Sequence, residues 1–177
     1  GPKRIAEAEI KDVFLKADFL AALPRLLDGV RASPDLQIER LHLKNAHVLA
    51  GDTGLNGLQG EINLKPGANQ GEVLLATSER GLQLRLSPSA AGVEVIIQSQ
   101  GWKPSENSPY AFSLIMAKGI LQPGKLMLNE AEFRMAEGIY SGMWLFGWEK
   151  GGMSMAAHGT IDHVDVRELV KMLSVPL

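Results

Sequence analysis

From Leu36 onward, apolar and polar residues alternate with a period of two, which is the pattern of half-buried strands. Leu36 and Ile38 set one parity. Leu41 and Leu43 continue on the other, which predicts a bulge near Glu39-Arg40. Ala46, Val48 and Ala50 lead to a turn at Gly51-Asp52-Thr53-Gly54. Leu58, Ile62 and Leu64 lead to another at 65–69. Val73 to Ala76 is a strand, and Leu82, Leu84 and Leu86 alternate with Gln83 and Arg85. Val93, Val95 and Ile97 follow the turn at 88–92. The stretch 101–109, with Trp102, reads as the longest loop. Phe112, Leu114 and Met116 then resume the period, and Pro123-Gly124 stands in type II order before Leu126 and Leu128. Turns at such short spacing imply hairpins rather than crossovers.

Two segments carry a helical period instead. Asp18 and Gly29 bracket one that is interrupted by Pro24, with Phe19, Leu23, Leu26 and Leu27 on one face. It reads as a kinked helix, or as a turn followed by a helix beginning at Pro24. The other runs from Asp165, with Glu168 at capping-box spacing and Val166, Leu169, Val170 and Leu173 at i, i+3, i+4 and i+7. Residues 4–17 suit a strand, with a helix as the alternative. The expectation is a mainly β (α+β) fold: an antiparallel, curved β-meander of about eight to ten strands with a helix near each end. Residues 3–177 form a single domain, with helical segments at about 18–31 and 165–174. Gly1-Pro2 reads as a scar left by protease cleavage of a fusion.

Composition narrows the function classes. The chain has 177 residues, enough to bury a core without staples. Its 18 basic and 20 acidic residues give a formal net charge of −2 with no basic block, so nothing suggests a nucleic-acid footprint. The absence of cysteine excludes disulfides and thiol chemistry. The densest polar cluster is His158, Asp162, His163 and Asp165. Asp165 reads as a helix cap, and no glutamate base accompanies the others, so neither a metal nor a catalytic site is expected there. His42 and His47, five apart, are expected on opposite faces of a strand. No cofactor is expected.

The stronger signal is apolar. Met143, Trp144, Leu145, Phe146, Trp148, Met153 and Met155 fall within thirteen residues, and 143–148 is apolar on both parities. Either both faces of this strand are covered, or one offers a surface to a lipid chain, a membrane or a protein.

The C-terminal half resembles the AsmA-like family of bacterial envelope proteins. The matching residues are Gly138-Ile139-Tyr140-Ser141-Gly142, the apolar strand Met143 to Trp148, a Gly-Gly turn, His158-Gly159-Thr160-Ile161, and Val164 to Val170. The leucine-alternating stretch 41–97 looks like the body of the same family, and the likeness spans 36–173. Such a resemblance implies a non-catalytic periplasmic domain tethered to the inner membrane by an N-terminal anchor. It also implies sheets that curl into an apolar groove, with lipid acyl chains or an envelope protein as partner. Some relatives serve secretion or assembly machines.

Overall fold

The computed structural model describes residues 3–30, 36–79, 81–103, 106–108, 111–135, 137–149, 152–167 and 170. Its strands are β1 (Lys3–Lys11), β2 (Phe14–Lys16), β3 (Leu36–Ala50), β4 (Thr53–Asn63), β5 (Val73–Thr77), β6 (Leu82–Ser89), β7 (Gly92–Trp102), β8 (Phe112–Gln122), β9 (Lys125–Met135), β10 (Gly138–Gly147) and β11 (Ser154–Asp162), and its helix is α1 (Ala17–Val30). The strands make one mixed, 11-stranded sheet that does not close on itself. From β3 to β11 each strand pairs antiparallel with the next in the chain, so the expected meander is present.

The sheet is not antiparallel throughout. β1 and β2 lie one after the other along the free side of β3, and both run parallel to it. A parallel neighbour needs a crossover, and α1 provides it by carrying the chain from the end of β2 back to the start of β3. The break between β1 and β2 sits at Asp12, which is left-handed (φ 55°) and accepts a 2.5 Å hydrogen bond from Asn45 Nδ2. Asn45 is left-handed too (φ 51°) and marks the first of two register shifts between β3 and β4, the one between Leu43 and Ala46. The bulge is therefore at Asn45 and not at Glu39-Arg40. Ile38 simply lies on the outer face, paired with Ile5.

α1 is one continuous helix with Pro24 inside it, so the version starting at Pro24 is not adopted. Its buried stripe is Ala17, Leu20, Leu23 and Leu27, while Phe19 and Leu26 are exposed. The stripe packs on the sheet's inner face, among Leu43, Leu58, Ile62, Val73, Leu86 and Val95. Each leucine so buried contributes roughly 1.5–3 kcal/mol.

The expected helix near the C-terminus is not an element among the described residues, of which only Val166, Arg167 and Val170 have helical backbone there. Most of that segment, including Glu168, Leu169 and Leu173, lies outside the described residues, as do Gly1 and Pro2. What is seen of the start is local: Asp165 Oδ1 accepts a 2.8 Å hydrogen bond from Arg167 N, and Val166 and Val170 are exposed. No helix among the described residues is long and apolar enough to cross a membrane.

Candidate functional site

Strand pairing lines up the inner-face residues in rows that cross the sheet. One row reads Leu82, Ser99, Ile115, Phe133, Tyr140, Ile161. The next reads Leu84, Ile97, Ala117, Ala131, Gly142, Gly159, and the third Leu86, Val95, Gly119, Leu128, Trp144, Ala157. Toward β11 the middle row shrinks to alanine and glycine while its flanks become aromatic. The two changes are linked. Phe133, Tyr140 and Trp144 have ring centroids 5.7 Å apart pairwise, and Phe146 stacks on Trp144 at the same separation. Such rings need room over the strands between them. A Cβ on Gly142 or Gly159 would stand 2.6 or 2.8 Å from Tyr140 Oη. That hydroxyl lies within hydrogen-bonding reach of Met143 O (3.1 Å) and His158 O (3.2 Å), which ties β10 to β11. The tyrosine and the two glycines of the sequence motif are thus one packing unit.

The sheet curls around this face. The β3–β4 turn comes up against the far end of β10, where a Cβ on Gly51 would lie 3.2 Å from Trp148 Cβ. Nearby, Asp18 Oδ1 of α1 accepts hydrogen bonds from Trp148 Nε1 (2.9 Å) and Gly124 N (2.8 Å). One carboxylate oxygen therefore pins the start of the helix to the β8–β9 turn and to the residue that follows β10.

The curl forms a half-open cavity of about 460 Å³, and every described residue that lines it is apolar. Ala17 and Leu20 of α1 contribute, with Val48, Ala50 and Leu55 from the curled hairpin. Leu75, Leu84, Ile97 and Leu128 come from the middle of the sheet, and Trp102 and Phe112 from the far ends of β7 and β8. Trp102 and Phe112 stack at 6.0 Å. Among the described residues, two polar atoms buried within the fold, Ser99 Oγ and Trp144 Nε1, find no hydrogen-bond partner. The outer face is of another kind. Its hollow of about 700 Å³ is edged by His42, Gln59, Glu61, Arg85 and Gln98. His42 pairs with Glu7 (3.4 Å) and Glu61 (3.9 Å), and Arg85 pairs with Glu72 (3.6 Å).

The seven residues of the apolar cluster divide between the faces. Trp144, Phe146, Trp148 and Met153 line the cavity. Met155, opposite Phe146, is on the inner face of β11. Met143 and Leu145 are on the outer face, 42% and 43% exposed, and no described residue covers them. The cavity residues that the sequence did not single out are the leucines and isoleucines of β5 to β8 and the stripe of α1. Their alternation marks them as inward-facing, but only strand register shows that they face one hollow.

The polar candidates stay apart. His158 and Asp162 are exposed on the outer face of β11, His163 follows in a left-handed turn (φ 56°), and Asp165 bonds Arg167 N. Among the described residues no three His, Asp or Glu side chains are grouped to hold a metal ion. His42 and His47 share the outer face, contrary to expectation, because the irregularity at Asn45 flips the parity between them. His47 stacks on Phe14 at 4.6 Å, and its Nδ1 lies 3.0 Å from Asn56 Oδ1.

No protein-family model, curated protein or solved structure matches the chain significantly.

Proposed function

We propose that this chain is a non-catalytic, AsmA-like envelope module that holds a lipid acyl chain against its inner face. In this reading it works in the periplasm, tethered to the inner membrane, and serves lipid movement or outer-membrane assembly. One observation carries the proposal: among the described residues the 460 Å³ cavity has no polar residue in its lining. Such a hollow gains from displacing water with hydrocarbon and offers an ionic substrate nothing. The sequence resemblance in 138–170 supplies the cellular setting. The test is native mass spectrometry, with lipid extraction, of protein purified from cells. The expected result is an acyl lipid bound to the wild type and lost from Ile97→Glu, which puts a carboxylate in the lining. Protein that is lipid-free from every source and takes up no added fatty acid or phospholipid would refute the reading.

A second reading, a protein-interaction scaffold of a secretion or polysaccharide-export system, draws on exposed Met127, Met143 and Leu145 of the outer face. Leu145 lies between Met127 and Ala156 across neighbouring strands, so the patch is continuous. A pull-down unchanged by Met143→Ser with Leu145→Ser would exclude that face.

A further inference from the structure

The two edges of the sheet are built differently. β1 carries Lys3, Arg4, Glu7, Glu9 and Lys11, and its carboxylates are engaged, Glu7 with His42 at 3.4 Å and Glu9 with Lys44 at 2.9 Å. Charges along an edge discourage another strand from adding. Among the described residues β11, Ser154 to Asp162, pairs with β10 alone and is exposed along all 9 residues. It has no lysine, arginine, glutamate or proline. A bare strand edge is a row of backbone donors and acceptors, so what fits it is another strand.

β11 fits itself. Set antiparallel about His158, Met155 falls opposite Ile161 of the second copy, and Ala157 falls opposite Gly159. All four of these positions are on the inner face, by their pairing with Phe146, Tyr140, Trp144 and Gly142. Met155 and Ile161 are each 63% exposed in the single chain, and this register covers both, twice. On the outer face Ala156 meets Thr160, and Asp162 meets the hydroxyl of Ser154. The two carboxylates thus sit at opposite ends of the seam, and a net charge of −2 per chain adds little repulsion. A twofold axis normal to the sheet keeps both inner faces on the same side.

We propose that β11 pairs with β11 of a second copy of this chain, making a dimer whose two apolar faces form one continuous surface across the seam. Because Met155 also neighbours Phe146 of its own chain, the apolar lining of each copy runs on to the seam. The charged β1 edges then cap the two ends, which stops growth at two copies.

Sedimentation and light scattering on the full chain test this. The wild type is expected at dimer mass, with Met155→Glu and Ile161→Lys each monomeric by themselves. Mixing the two variants restores a one-to-one dimer, since position 155 of one copy faces position 161 of the other. A His158→Cys variant keeps the test open if either of those misfolds. The chain has no cysteine, so a thiol at the twofold centre crosslinks to its own copy under mild oxidation, while Ser141→Cys on the neighbouring strand does not. Wild-type protein that stays monomeric up to about 1 mM, or variants that do not recover on mixing, would overturn the proposal. So would a His158→Cys protein that crosslinks no faster than Ser141→Cys.

Discussion

The inner face has two halves, and they solve burial differently. Beneath α1, residues such as Leu43, Leu58, Ile62 and Val73 are aliphatic and closed over by the helix stripe. Toward β11, Ala117, Leu128 and Ala131 are buried under Phe133, Tyr140, Trp144 and Phe146, with no helix above them among the described residues. In the first half the lid is a secondary-structure element. In the second the rings are their own lid, and they leave an opening. The contrast separates a half closed by the helix from a half that opens onto the cavity.

The largest expected effect belongs to the helix-covered half. Leu58 is fully buried (0% exposed), so Leu58→Ala should cost roughly 2–5 kcal/mol by denaturant unfolding. Leu128→Ala should cost visibly less, because Leu128 itself borders the open cavity. Equal costs would erase the distinction between the halves.

Next is the tie between them. Asp18→Ala strands Trp148 Nε1 and Gly124 N without an acceptor and should cost about 1–3 kcal/mol. Trp148→Phe on top of it should add less than it costs alone, which a double-mutant cycle would show. Additive costs would mean that Asp18 does not act through the indole.

In the ring-lidded half, Phe146→Ala should shift stability less than Leu58→Ala yet weaken fatty-acid binding about tenfold, read by titration. Met143→Ser and Leu145→Ser, on the outer face of the same strand, should stay within about 0.5 kcal/mol of wild type and leave binding unchanged.

The smallest effect is at the charged edge. The hydrogen bond and charge of Lys44 hold the Glu9 carboxyl below its usual range. Its stabilising contribution is therefore present above the ordinary carboxylate range and fades as pH falls through the lowered value. Unfolding midpoints of wild type and Glu9→Gln should differ slightly at neutral pH and converge in acid.

Much of the meander was legible, because in a hairpin sheet each strand carries its own alternation and each turn its own glycine, as at Leu82 to Leu86 and Pro123-Gly124. The parallel pairing of β1 was not, since it depends on a crossover that no local period encodes. The irregularity at Asn45 was invisible as well. It arises from left-handed Asp12 and Asn45 bonding across 33 residues of chain, and it moved His47 to the same face as His42. The apolar cluster at 143–155 was readable as apolar on both parities. Which parity faces inward was decided only by pairing with β9 and β11. The bond from Trp148 to Asp18, 130 residues apart, leaves no trace in either segment alone.

The central claim is that the inner face, not the outer, receives an acyl chain. A fatty acid with a photoreactive group on its hydrocarbon tail, crosslinked to the protein and mapped by peptide mass spectrometry, separates the two on a single strand. Adducts are expected at Leu84, Ile97, Phe146 and Met153. Adducts confined to Met127, Met143 and Leu145, or none at saturating probe, would contradict that claim.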